Sequence, residues 1–104
     1  MKIHILGICG TFMGGLAQIL VEKGHQVSGA DQQFYPPMSD QLQRLGVEMI
    51  QGYDPTNLPA ADLFVIGNAL SRGNPSVEYI LSYKLPFTSG PQMLGELIEG
   101  RQVI

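Results

Sequence analysis

The chain is 104 residues long, with 44% apolar and 14% charged side chains, proportions that fit one globular domain with a sizeable core and exclude disorder and a two-domain layout. Six basic against nine acidic side chains leave a formal charge of −3, and the charges form no block of one sign. A nucleic-acid footprint and a polybasic membrane patch are therefore both excluded, and any bound anion must be held largely by backbone.

The lone cysteine, Cys9, cannot form an internal disulfide. The N-terminus lacks a signal-peptide layout, and no apolar run approaches the ~20 residues that span a bilayer, so a reducing, cytoplasmic setting is expected.

Lys2 to Gly7 is a short apolar run ending in glycine, as in a buried strand of a parallel sheet. From Phe12 to Lys23, Met13, Leu16, Ala17, Ile19 and Leu20 recur at helical spacing, and Gly24 stands where a left-handed cap would end the helix. His25 to Asp31 gives a second strand, completing a βαβ unit. Tyr35-Pro36-Pro37 breaks regular structure, after which Ser39 or Asp40 can cap a short helix ending before Gly46. Val47 to Gln51 is a third strand.

Past the turn-rich Gly52-Tyr-Asp-Pro55, Asp62 to Gly67 repeats the pattern of a buried strand closed by glycine. Asn74-Pro75 can start a helix that runs until Pro86. Pro86 to Thr88 is a fifth strand, and Ser89-Gly-Pro91 opens a last helix carrying Met93, Leu94, Leu97 and Ile98, ended by Gly100. Arg101 to Ile104 resembles the start of a further strand. Alternating strands and helices predict a Rossmann-like three-layer αβα domain, with about five parallel strands and about four helices.

Gly7-Ile-Cys-Gly-Thr-Phe-Met-Gly-Gly15 lies between the first strand and the first helix, where glycines let amides approach a phosphate at the positive helix end. Counted from Gly7 against the dinucleotide fingerprint G-x-G-x-x-G, Cys9 stands for the second glycine and Phe12 for the third, which weakens an NAD reading. The plainer reading is that Gly10, Gly14 and Gly15 only allow a tight turn and close packing.

Asp31 ends the second strand ~20 residues beyond the turn, where such folds hold a ribose hydroxyl or base edge; otherwise it is a capping or solvated carboxylate. Asn68, Ala69, Leu70 and Ser71 follow the fourth strand and emerge at the same edge, or form a solvated loop with Asn74 as helix cap. No histidine or second cysteine stands near Cys9 to activate it, and His4 and His25 lack metal-ligand spacing. Neither a catalytic thiol nor a metal site is expected.

The first strand, the Gly7–Gly15 turn, Gly29-Ala-Asp31, Ile66-Gly-Asn-Ala-Leu-Ser71 and Gly73-Asn-Pro75 together resemble the N-terminal domain of the Mur ligases, over essentially the whole chain. Cys9-Gly-Thr-Phe-Met13, Tyr35-Pro-Pro-Met-Ser39 and Gln51-Gly-Tyr-Asp-Pro55 are similar to the branch that recycles a wall tripeptide. The resemblance implies an ATP-dependent ligase in which the carboxylate of UDP-N-acetylmuramate is activated as an acyl phosphate and attacked by the amine of L-Ala-γ-D-Glu-meso-diaminopimelate.

It places Gly7, Ile8, Cys9, Gly10, Thr11, Phe12 and Met13 at the diphosphate, Asp31 at the uridine, and Asn68 to Ser71 on the opposite side of the nucleotide. ATP and Mg2+ are implied for the full-length enzyme. Family sequences continue into a P-loop, and no G-x-x-x-x-G-K-[ST] occurs here, so this chain is expected to be the N-terminal fragment of a longer ligase with no catalytic residue of its own. The competing readings are an NAD(P)-binding domain of an oxidoreductase and a stand-alone nucleotide sensor.

Overall fold

The computed structural model describes residues 1–9, 11–34, 36, 38–67 and 74–98, with backbone alone for residues 11 and 96–98. Five strands occur among them: β1 (Lys2–Leu6), β2 (Gln26–Asp31), β3 (Glu48–Gln51), β4 (Leu63–Ile66) and β5 (Phe87–Ser89). They alternate with α1 (Thr11–Glu22), α2 (Met38–Arg44), α3 (Pro75–Ser82) and α4 (Gly90–Ile98), and a 3-10 turn covers Pro55–Asn57. The strands form one parallel sheet in the order β3-β2-β1-β4-β5. This is the expected Rossmann-like architecture.

The faces of the sheet are covered unequally. Ile3 and Ile5 of β1 share a row with Val27 and Gly29 of β2 and with Leu63 and Val65 of β4. Their apolar side chains pack with Met13, Leu16, Ala17 and Leu20 of α1, Leu42 of α2 and Met93 of α4. On the other face, Leu6, Ala30 and Phe64 pack with Val77 and Ile80 of α3 and with Tyr53. Three helices thus lie on one side of the sheet and one on the other.

Helix ends follow local chemistry. Beyond α1, Gly24 adopts φ 90°, donates to the Val21 carbonyl at 3.0 Å, and is followed by a His25 amide bond to Leu20 at 3.1 Å. That paired closure is the Schellman arrangement, which satisfies carbonyls the helix would otherwise orphan. α3 closes in the same way with Lys84 at φ 53°, the one non-glycine in that region among the described residues. Asn74 caps the start of α3 by accepting the Ser76 and Val77 amides at 3.0 and 3.2 Å, with Pro75 at the first helical position.

One expectation needs correction. α2 begins at Met38, so Ser39 and Asp40 lie inside its first turn instead of capping it; the acidic Asp40 there complements the helix dipole. The 3-10 turn at 55–57, with Asp54 accepting the Thr56 amide at 3.0 Å, lies in what reads from sequence as an irregular loop. The strand expected over Arg101–Ile104 falls outside the described residues.

Candidate functional site

All five strands are parallel, so their carboxyl ends share one edge of the sheet with the first turns of the four helices. Strand order reverses between β1 and β4, because the chain moves outward through β2 to β3 on one side and through β5 on the other. Ligands of open parallel sheets bind in the crevice at such a reversal. Here the reversal brings Gly7, just past β1, beside Gly67, just past β4. The Gly67 amide donates to the Leu6 carbonyl at 3.0 Å, and a Cβ on Gly67 would stand 3.0 Å from that same oxygen.

The turn from Gly7 to Cys9 is tied to β2. Gly7, at φ 81°, and Ile8 both donate to the Ala30 carbonyl, at 2.8 and 3.2 Å. The Cys9 amide donates to Asp31 Oδ2 at 3.0 Å, while Asp31 Oδ1 accepts the Gln32 amide at 2.8 Å. Ile8 is fully buried, and it packs so closely over Gly29 that any Cβ there would overlap its side chain. The resemblance places Gly7, Ile8 and Cys9 at the diphosphate, and in the structure their amides meet protein acceptors.

Donors at the turn are therefore concentrated in the first turn of α1, where Thr11, Phe12 and Met13 begin the helix. An α-helix leaves its first four amides without intrahelical acceptors, and its N-terminus carries partial positive charge. No acidic side chain in the first turn of α1 offsets that charge. Phe12 is 45% exposed at this edge and Met13 is buried, and both side chains reach the start of α4 at Gly90.

Burial, reinforced by the Asp31 carboxylate, pushes the Cys9 thiol up to about 11. It stays protonated near neutrality and is a poor nucleophile. Tyr53, which sequence reasoning did not single out as a site residue, reaches the same corner. Its hydroxyl lies beside the Gly7 amide and in the fields of Asp31 and Cys9, and burial and those charges push it up to about 12. The sequence offered two signals, the turn Gly52-Tyr-Asp-Pro55 and the resemblance of Gln51-Gly-Tyr-Asp-Pro55 to the tripeptide-recycling branch, and neither gives Tyr53 a role.

Gly10 and Asn68 to Ser71, expected at the diphosphate and across the nucleotide, lie outside the described residues. Among the described residues, no three His, Cys, Asp or Glu side chains gather where they could hold a metal. No helix there is long and apolar enough to cross a membrane.

Residues 2–102 match the description "Mur ligase family, catalytic domain". The chain belongs to the Mur ligase family. This Mur ligase chain is 56% identical, over 99 residues, to the UDP-N-acetylmuramate–L-alanyl-gamma-D-glutamyl-meso-2,6-diaminoheptandioate ligase of Escherichia coli; the match covers 94% of the chain and 22% of that protein. The crystal structure of the corresponding ligase from Neisseria meningitides superposes with a TM-score of 0.88 at 54% identity, covering 91% of this chain and 30% of the other. A murein peptide ligase from Psychrobacter arcticus gives a TM-score of 0.88 at 55% identity, covering 92% and 20%. The chain spans about a fifth of the length of the curated relatives it matches. It corresponds to the N-terminal domain of the murein peptide ligases.

Proposed function

We propose that this domain holds the UDP end of UDP-N-acetylmuramate, as the N-terminal domain of a bacterial, cytoplasmic ligase that joins muramate to L-Ala-γ-D-Glu-meso-diaminopimelate in peptidoglycan recycling. The observation that carries the reading is the placement of the first turn of α1, free of acidic side chains, at the β1/β4 reversal. The relatives' names supply the ligand class, since the Escherichia coli protein is named for UDP-N-acetylmuramate and a peptide acceptor.

In this reading the amides of Thr11, Phe12 and Met13 face the diphosphate. Gly7, Ile8 and Cys9 shape the turn beneath it, Asp31 faces the uridine, and Gly10 and Asn68 to Ser71 complete the contacts. Each Asp31 oxygen accepts one backbone amide and keeps lone-pair capacity for a ligand hydroxyl.

Amide-bond formation would proceed on the muramate carboxylate, activated by ATP with Mg2+ and attacked by the tripeptide amine. The chain carries no P-loop and spans about a fifth of the length of its curated relatives, so in this reading the residues for that chemistry belong to the rest of the ligase. The domain by itself is expected to bind the substrate weakly, because the facing wall of an interdomain cleft is missing, and to hydrolyse no ATP.

The test is a heteronuclear NMR titration of the 104-residue chain with UDP-N-acetylmuramate and, separately, with NADH. Shifts should concentrate at residues 7–13 and 31 with the UDP-sugar. Stronger binding of NADH at those residues would instead establish the oxidoreductase reading, and silence of the turn toward both would overturn the proposal.

A further inference from the structure

The chain after β3 does not continue outward from its edge strand. Gly52, at φ 91° with its amide on the Asp31 carbonyl at 2.7 Å, turns it back across the sheet. Tyr53 then packs against Leu6 and Ala30, near the ends of β1 and β2, and against Phe64, Val77 and Ile80. Its carbonyl accepts the Ser76 hydroxyl at 2.8 Å, joining the loop to the start of α3. The residue is only 9% exposed.

Ring and backbone are thus held from several sides; the phenol oxygen shares the Gly7 amide with the Ala30 carbonyl, but among the described residues no acceptor takes the phenol proton. The hydroxyl lies at the Gly7 amide and in the field of Asp31, whose carbonyl holds the neighbouring Gly52 amide; Gly7 and Asp31 are both only half-buried. Burial and the Asp31 charge keep it protonated to about 12, so it can donate at any physiological pH. A mostly buried phenol left without an acceptor is disfavoured, and an acceptor brought by a ligand would satisfy it.

We propose that Tyr53 is a ligand-contacting, specificity-determining residue, whose hydroxyl acts with the Asp31 carboxylate as a donor–acceptor pair that reads the ribose hydroxyls of the bound uridine nucleotide. The inference rests on the uridine-nucleotide reading above and adds what discriminates the sugar. A ribose hydroxyl is both donor and acceptor. A carboxylate such as that of Asp31 is acceptor-only: it can take the hydroxyl's proton in a hydrogen bond but cannot serve its oxygen. The amides of Gly7, Ile8 and Cys9 already meet Ala30 and Asp31. On this side of the crevice the Tyr53 O–H is a donor that remains among the described residues.

The experiment titrates the chain and its Tyr53→Phe variant with UDP, 2′-deoxy-UDP and 3′-deoxy-UDP by NMR, which measures weak dissociation constants directly. Phenylalanine keeps the ring and removes only the donor, and circular dichroism checks that the variant melts as the parent does. One neutral hydrogen bond corresponds to about a fivefold change in affinity.

The parent should bind UDP about fivefold or more tightly than at least one deoxy analogue. Tyr53→Phe should lose about fivefold for UDP and little for that analogue. Equal affinity of the parent for all three nucleotides overturns the inference even if the variant fails to fold, as does a Tyr53→Phe loss that is the same for all three, which is the mark of a purely structural residue. If UDP produces no shifts at the turn at all, the uridine-nucleotide reading itself has failed, a result distinct from binding without discrimination.

Discussion

Asp31 holds Cys9: one carboxylate oxygen accepts the Cys9 amide at 3.0 Å across 22 residues of sequence, while the other accepts the amide of its own neighbour Gln32 at 2.8 Å. The end of β2 therefore fixes the shape of the turn after β1 before any ligand arrives. Such positioning by a side chain whose own geometry is set by backbone donors makes a preorganised site.

A first prediction follows from that double bond to backbone. Asp31→Ala leaves the Cys9 amide without its acceptor, so the variant should lose about 1–2 kcal/mol of stability as well as ligand affinity. Thermal melting and UDP titration, read together, check it. Weaker binding with unchanged melting would make Asp31 a ligand contact only; unchanged affinity with lowered melting would make it a structural clamp only.

The close approach of Ile8 to Gly29 gives a second. Alanine at 29 puts its Cβ inside the buried Ile8 side chain, in the row of the sheet that faces α1. A branched residue pinned in a close-packed core yields poorly, so Gly29→Ala should cost about 1–3 kcal/mol and disturb the turn that Ile8 belongs to. Gly14→Ala is the informative contrast. Its Cβ would meet the Sδ of Met38 at 2.7 Å, the far end of a flexible side chain, and alanine regains about 1 kcal/mol of helix propensity. Chemical denaturation should therefore separate the two sharply, and equal losses would show that Met38 is as immobile as Ile8.

His4 makes stability depend on pH. It sits in the middle of β1, 1% exposed, with Nδ1 2.7 Å from Ser28 Oγ, its ring edge-on to Phe64, and Nε2 without a partner among the described residues. Burial lowers it from 6.5 to about 4. Between those values the unfolded chain binds the proton and the folded chain does not, so stability rises with pH across that window. It is complete above about 6.5 and is lost progressively as the pH falls toward 4, by about 3 kcal/mol in all. His25 is lowered too, first by partial burial, and acts in the same direction. Urea midpoints at pH 7, 6, 5 and 4.5 should fall in step, and His4→Phe should flatten the curve; an unchanged slope in that variant would assign the effect to other groups.

These relationships mark where sequence reading reaches and where it stops. The runs Lys2–Leu6 and Leu63–Ile66, the cap at Asn74-Pro75 and the closure at Gly24 are legible because each is decided by neighbours a few residues away. The start of α2 is not, because Ser39 and Asp40 are good capping residues, yet the helix begins at Met38, whose side chain packs against Gly14 of α1. The partner of Asp31 and the return of Tyr53 across β2 toward β1 depend on strand order, which local patterns leave open. The glycine-rich segment reads as a continuous row of phosphate donors for a related reason. Only the register of β1 on β2 reveals that the amides of Gly7, Ile8 and Cys9 are already engaged.

The first turn of α1 supplies the last prediction, because there charge should act on stability and on binding with opposite signs. Phe12 is 45% exposed and no acidic residue shares its turn. Phe12→Asp and Phe12→Asn both remove the ring and differ only in charge, so comparing them cancels the lost contacts. A carboxylate in the first turn complements the helix dipole, and the aspartate variant should be the more stable by about 0.3–1 kcal/mol at low salt. The same carboxylate stands where the diphosphate is expected, so the aspartate variant should bind UDP less well than the asparagine variant, and added salt should narrow the gap by screening. Paired melting and titration at two ionic strengths measure both signs. If the aspartate variant is more stable and yet binds UDP as well as the asparagine variant, the diphosphate does not sit at the α1 N-terminus, and the anion must be sought at another helix start along the same edge of the sheet.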